Sequence, residues 1–172
     1  MAIKVRPGSI EDLSALTEIH NYYVIHSHIT FDIAPYQPAQ RISWFNDHSD
    51  GQRYRLFVAC DEGGVLGYAC TGRFRSKAAY DTTVEASVAA KPEAVGQGLG
   101  TLLYQALFDA IADQDIHRIV AGIAQPNPAS NALHRRFGFQ TVGIFSQVGR
   151  KFGQYWDVMW MERAVTPILP PK

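Results

Sequence analysis

Three groups of residues could do chemistry. The first is the run Val95-Gly96-Gln97-Gly98-Leu99-Gly100-Thr101, with three glycines in five residues. Glycine lets the chain turn tightly and aim its N–H groups inward without side-chain obstruction. A helix starting here adds partial positive charge. Together these make a site for a pyrophosphate; the alternative is a purely structural turn. The run lacks the Lys-Ser/Thr of a P-loop, and glycines spaced two apart do not make G-x-G-x-x-G. The second group is Glu85, within the apolar run Thr82–Ala90. A carboxylate there is costly unless it has partners or work. Acting as general base toward an amine is such work; pairing with an arginine at a strand end is the alternative. The third is the basic cluster Arg73, Arg75 and Lys77. It is either a solvated loop or an anion holder, because arginine can grip a carboxylate through two parallel hydrogen bonds.

Other chemistries are disfavoured. The six histidines show no HExxH-like spacing, and Cys60 and Cys70 do not form a CxxC pair, so no metal site is expected. Sixteen basic residues balance sixteen acidic ones, which argues against a broad cationic face for nucleic acid. No run approaches the roughly 18 apolar residues of a membrane span. The N-terminal residues lack the apolar core of a signal peptide, and two cysteines are few for a small secreted domain. A cytoplasmic protein is therefore expected. With 172 residues, 47% hydrophobic and 19% charged, the chain has the balance of one folded domain over 1–165. The stretch 166–172, with three prolines in seven residues, is expected to be an extended tail.

The elements that must position these groups follow from periodicity and punctuation. Ile3–Arg6 reads as a strand. Ser9-Ile10-Glu11-Asp12 is similar to a capping box and opens a helix carrying Leu13, Leu16, Ile19, Tyr22 and Tyr23. His28–Gln37 is a loop, with His26 and His28 at its solvated start, and a second helix begins near Pro38. Arg55–Cys60 and Val65–Thr71 pair through Asp61-Glu62-Gly63-Gly64 as a hairpin. Thr82–Ala90 is a central strand. Its period of two puts Thr83, Glu85, Ser87 and Ala89 on one face and Val84, Ala86, Val88 and Ala90 on the other. The helix after the glycine run carries Leu99, Leu102, Leu103, Ala106, Leu107, Ala110 and Ile111 on one broad stripe. His117–Ala124 is a strand, Asn127-Pro128 caps a helix, and Gly138 ends it. Thr141–Val148 and Gln154–Glu162 complete the sheet, with Trp156 and Asp157 expected in core or interface. The order β-α-α-β-β-β-α-β-α-β-β predicts an α/β (α+β) fold with a mixed, mostly antiparallel central sheet flanked by helices.

The glycine run and the segment Asn127-Pro128-Ala129-Ser130-Asn131-Ala132-Leu133-His134, followed by Gly138-Phe139, resemble the GCN5-related N-acetyltransferase (GNAT) superfamily from about Ile3 to Arg163. The family's coenzyme loop reads Gln/Arg-x-x-Gly-x-Gly/Ala; Val95 replaces its first residue. Ile29–Asp32, Ala79–Glu85, Leu133-His134 and Val148-Gly149-Arg150-Lys151-Phe152-Gly153 further resemble the phosphinothricin and methionine sulfoximine acetyltransferase branch. The resemblance implies transfer of acetyl from acetyl-CoA to the α-amine of a small glutamate- or methionine-like amino acid. It implies coenzyme contacts by Val88, Ala89, Ala90, by Gly96, Gln97, Gly98, Leu99, Gly100, Thr101, and by Asn127 and Ser130. Glu85 becomes the general base. His134 occupies the place of a tyrosine proposed to protonate the thiolate; the alternative is a half-buried helix histidine. Arg75, flanked by Ser76 and Lys77, becomes the anchor for the acceptor's carboxylate. Phe31, with Glu85, Ala86 and Ser87, becomes part of the acceptor pocket, or else Phe31 is local packing. A homodimer is implied as well. Two rival readings remain: another amine acceptor (a protein N-terminus, lysine or polyamine), and a non-catalytic CoA-binding module.

Overall fold

The computed structural model describes residues 2–48 and 52–165; the expected tail at 166–172 lies outside them. Seven strands form one sheet: β1 Lys4–Pro7, β2 Leu56–Asp61, β3 Gly64–Arg73, β4 Thr83–Ala90, β5 Arg118–Ala124, β6 Gln140–Lys151 and β7 Gln154–Ala164. Their spatial order is β1-β2-β3-β4-β5-β7-β6. Only β4 and β5 run parallel, so the sheet is mostly antiparallel as expected. The helices are α1 Leu13–His26, α2 Ile42–Asn46, α3 Leu99–Ala110 and α4 Pro128–Arg136.

Local chemistry explains the first turn. The Asp12 carboxylate accepts from the Ser9 N–H at 2.8 Å and from two Arg6 nitrogens at 2.7 and 2.8 Å. It thus ties β1 to the start of α1. The two sheet faces are covered separately. One packs against α3, where Leu103, Tyr104, Leu107 and Ile111 are fully buried with Val84 and Ile119 of the sheet. The other packs against α1, through Leu16 and Ile19 over Val58 and Tyr68.

Some expected details differ. Leu102 is 45% exposed, while Tyr104 and Phe108 are buried. Leu102 points to the opposite side of α3 from Leu107, so the stripe is narrower and shifted toward the aromatic residues. The second helix is a 3-10 turn, Pro38–Arg41, followed by the short α2, whose residues are not buried. It is Arg41 that is buried, its guanidinium 4.0 Å from the Trp44 ring. β6 and β7 are longer than expected, reaching a tight turn at Phe152-Gly153, where both residues have positive φ. His28 is no free loop histidine: its ring stacks on Trp156 at 4.1 Å and 9°.

The sheet does one thing that matters for function. β4 and β5 pair over only three positions, Thr83↔Arg118, Val84↔Ile119 and Glu85↔Val120. β4 stays with β3 as far as Gly67↔Ala90, and β5 stays with β7 as far as Ala124↔Val158. The two central strands therefore part beyond Glu85. Gly67 holds the far end of β4 closely: a Cβ there would lie 2.8 Å from the Ala89 carbonyl oxygen and 3.1 Å from the Ala90 Cα. These are main-chain atoms that cannot swing aside. Gly67→Ala is expected to destabilise the fold by about 1–3 kcal/mol, seen as a lower urea midpoint with an unchanged slope.

Candidate active site

The parting of β4 and β5 opens a cleft of about 260 Å3 through the sheet. Ala86, Ser87, Val88 and Ala89 line one wall, and Ala121, Gly122, Ile123 and Ala124 the other. Main-chain groups that a neighbouring strand would normally satisfy are turned toward this cleft. A buried peptide group needs a partner, so the walls suit a ligand that supplies its own amides and a carbonyl. Small side chains on both walls let such a ligand approach closely. The expected contacts Val88 and Ala89 lie on the wall; the Ala90 carbonyl is already engaged, accepting from the Tyr23 hydroxyl at 2.6 Å.

The glycine run follows directly. Gly96 and Gly98 have φ of +86° and +80°, where a side chain brings strain. Gly98 is the N-cap of α3, so the N–H groups of Leu99 and Gly100 begin the helix without helical partners. Gly100 is glycine for another reason: a Cβ there would lie 2.8 Å from Leu133 Cδ2 of α4. It sets the approach of α4 to α3. Leu99 is buried in the core, leaving its main chain to the loop. The Gln97 side chain donates to the Glu93 carbonyl at 3.1 Å, and the Thr101 N–H donates to the Gly98 carbonyl at 3.0 Å; both brace the turn.

Asn127 caps α4, its side chain accepting from the Ser130 N–H at 3.1 Å, and both residues line the cleft. His134 does too, although its residue is only 3% exposed. Its Nδ1 lies 2.7 Å from the Ser130 carbonyl, which can only accept, so Nδ1 carries the proton. Nε2, 2.9 Å from the Tyr104 hydroxyl, is then the acceptor. Burial holds the imidazole below its ordinary range, against the pull of the Ser130 carbonyl. It is a neutral histidine with both nitrogens occupied. Burial also pushes the Tyr104 hydroxyl up. Tyr104 is a site residue that the leucine pattern of α3 concealed; its spacing of four from Gly100 and Phe108 was the available signal.

Glu85 projects from the other face of β4. Val84 and Ala86 are buried under α3, as strand alternation requires, while Glu85 is half-buried on the α1 side. No hydrogen bond or ion pair among the described residues reaches its carboxylate. Burial pushes its carboxyl above the usual range, and the charge of Arg75 pulls partly back. Glu85 lies between two hollows. One is lined by Trp44, His48, Tyr54 and Arg73. The other is lined by Ile29, Thr30, Phe31, Val148 and Trp160. Phe31 is thus brought to Glu85. Arg75 faces a third hollow with Phe74 and Tyr80 and reaches Glu85 through its field; Ser76 and Lys77 are exposed on the loop. Among the described residues, no group of side chains could hold a metal ion.

A family model described as "Acetyltransferase (GNAT) family" matches residues 16–139. The chain is 52% identical over 163 residues to a phosphinothricin N-acetyltransferase of Streptomyces coelicolor, covering 94% of this chain and 95% of that one. It is 38% identical over 168 residues to an L-methionine sulfoximine/L-methionine sulfone acetyltransferase of Pseudomonas paraeruginosa, covering 97% of each. Among solved structures, a GNAT superfamily phosphinothricin acetyltransferase from Sinorhizobium meliloti in complex with acetyl-CoA superposes with a TM-score of 0.89 at 33% identity, over 95% of this chain and 89% of that one.

The environment of Glu85 can be measured directly. In a carboxyl 13C NMR titration, one glutamate signal is expected to titrate above the ordinary carboxylate range and to vanish in Glu85→Gln. A raised folded pKa means that Glu85 contributes stability at low pH that is lost as pH rises through the folded value. A signal titrating at or below the ordinary range contradicts the desolvation argument.

Proposed function

The chain belongs to the acetyltransferase (GNAT) family, and from that premise we propose the reaction and the roles of its residues. The enzyme transfers acetyl from acetyl-CoA to the α-amino group of a small amino acid of the phosphinothricin, methionine sulfoximine or methionine sulfone type. The observation that carries this reading is the parted β4–β5 pair, with the α3 N-terminus at one end and an unpaired carboxylate on its acceptor face. The diphosphate of acetyl-CoA sits on the main-chain amides of the Gly96–Gly100 run, with Thr101, Asn127 and Ser130 beside the coenzyme. The pantetheine arm takes the place of the missing strand partner, along Val88–Ala90.

The acceptor arrives as an ammonium and must lose a proton before it can attack. Glu85, raised toward neutrality by burial, is poised to accept it directly or through water. The neutral amine attacks the thioester carbonyl, whose developing negative charge is met by main-chain N–H groups of the open strand. The C–S bond then breaks. Of the two protons the ammonium sheds, one passes through Glu85 to solvent and one ends on sulfur. His134 is the group we assign to deliver the second, accepting a proton on Nε2 as the Tyr104 hydroxyl turns away. Cys70 also lines the cleft, but burial raises its thiol pKa to about 12. It stays protonated and is no nucleophile, which favours direct transfer without an acyl-cysteine.

Arg75 supplies the positive charge for the acceptor's carboxylate, with Ser76 and Lys77 beside it, and Phe31 walls the acceptor's side chain beside Glu85, while Ala86 and Ser87 line the cleft. The free Cys60 and Cys70 suit a reducing cytoplasm; among the described residues no helix is long and apolar enough to cross a membrane. A homodimer accounts for the edge strand β6, which exposes Val142, Ile144, Phe145 and Val148. An uncovered apolar edge is a liability in a monomer.

Turnover with acetyl-CoA across an amine panel tests the reading. Methionine sulfoximine, methionine sulfone and phosphinothricin are expected to outrun polyamines, lysine and peptide N-termini; tight CoA binding with no acetylation of any amine overturns it. Glu85→Gln should lower kcat about 100-fold at unchanged acetyl-CoA affinity, and an unchanged rate at neutral pH removes the base. Arg75→Ala should raise KM for carboxylated acceptors far more than for acetyl-CoA; equal effects refute the anchor.

A further inference from the structure

Apart from Val148, which lines the hollow beside Glu85, the segment Val148-Gly149-Arg150-Lys151-Phe152-Gly153 has no role above, yet it contains the only buried lysine among the described residues, 4% exposed. An ammonium has three N–H donors and no acceptor. Lys151 meets three main-chain carbonyls: Ser27 at 2.7 Å, Thr30 at 2.8 Å and Tyr23 at 3.2 Å. Two of these come from the C-terminal end of α1, where positive charge is favoured; the Tyr23 carbonyl also accepts from the Ser27 N–H at 3.1 Å. The third belongs to the loop that follows α1. One side chain, more than 120 positions away in sequence, therefore fixes both the end of the helix and the start of the loop.

That loop forms a wall of the acceptor hollow. Ile29, Thr30 and Phe31 line it opposite Glu85. Two residues before Lys151, and so on the same face of β6 by strand alternation, is Gly149. The Phe31 ring lies on it so closely that a Cβ at Gly149 would fall 2.1 Å from the ring. Thus consecutive loop residues are held by alternate strand residues: the Thr30 carbonyl by Lys151, the Phe31 ring by Gly149. The strand is itself held at this point, since Trp156 Nε1 donates to the Lys151 carbonyl at 3.0 Å. The same indole carries the stacked His28 ring from the loop.

We propose that Lys151 is a positioning residue for the amine acceptor: with Gly149 it clamps the Ile29–Phe31 wall against β6, and so sets which acceptor side chains fit beside Glu85. The proposal rests on the reading of this hollow as the acceptor pocket. It gives the charged and glycine positions of the hairpin a purpose. A methionine at 151 fills the same space but leaves the Ser27 and Thr30 carbonyls without a donor among the described residues, and a methyl group at 149 evicts the ring.

The test compares wild type, Lys151→Met and Gly149→Ala in steady-state kinetics with methionine sulfoximine, methionine sulfone and phosphinothricin. Hydrogen exchange of the free proteins is measured alongside. In Lys151→Met, KM for the acceptor should rise about tenfold or more while KM for acetyl-CoA stays within about twofold. Amides of 27–31 should exchange faster, and those of α3 should be unchanged. Gly149→Ala keeps the ammonium and should raise acceptor KM in the same direction; it carries the kinetic test if Lys151→Met does not fold. Acceptor KM within about twofold of wild type in a folded variant, or both KM values rising together, overturns the proposal. So does unchanged exchange at 27–31 in folded Lys151→Met. If wild type acetylates no amine, the functional reading fails, and the exchange measurement alone still decides whether Lys151 holds the wall.

Discussion

The parting of β4 from β5 is the constraint on which the site depends. A parallel ladder normally continues as far as both strands do, because every buried peptide group that loses its partner is a cost. Here the ladder stops at Glu85↔Val120 while each strand remains bound to its outer neighbour. The antiparallel β3 and β7 hold the two halves of the sheet rigid as they diverge. What would be a defect in an ordinary sheet becomes a slot with a polar main-chain lining and small side chains. The helix after β4 must then start where the slot opens, and the φ values of Gly96 and Gly98 make that turn possible.

The electrostatics follow from where the slot cuts the sheet. On its α3 side the surroundings are apolar and dense, so His134 is kept neutral in one tautomer, while on the α1 side burial beside Leu16, Ile19 and Tyr68 keeps Cys70 protonated. On its α1 side Glu85 is half-buried with neither an ion pair nor a hydrogen bond among the described residues, and its proton is held more tightly than usual. A carboxyl that holds its proton tightly, a neutral imidazole and a protonated thiol thus arise around β4 through differences in burial more than through charge pairs. The wall proposed for the acceptor is different in kind. It belongs to a loop with no ladder of its own, and it is held by an ammonium, a ring on a glycine and a stacked histidine.

Much of this was legible in the sequence because it is local. Alternation along β4 placed Glu85 opposite Val84 and Ala86, and the glycine run marked the start of α3. Asn127-Pro128 marked the start of α4. The order of elements along the chain and the mostly antiparallel character followed from periodicity and punctuation. What could not be read is what depends on long-range partners. The ladder between β4 and β5 ends because of how β3 and β7 diverge, which no window of sequence contains. The contact between Tyr104 and His134 spans thirty positions. Lys151 stood out only within the segment that resembles the family branch, and its burial depends on carbonyls more than 120 positions away. Leu102 shares its apolar identity with the core residues but not their phase on α3, and the burial of Arg41 over Trp44 leaves no periodic trace.

The central claim is that the slot between the diverging strands is where the acyl carrier lies. A crystal structure of the protein with acetyl-CoA tests it most directly. The account predicts the diphosphate on the amides between Gly96 and Thr101, the pantetheine arm alongside Val88–Ala90, and the thioester carbonyl within reach of the face that bears Glu85. A carrier bound on the outer surface of α3, or a slot closed by renewed β4–β5 pairing with the carrier elsewhere, contradicts it.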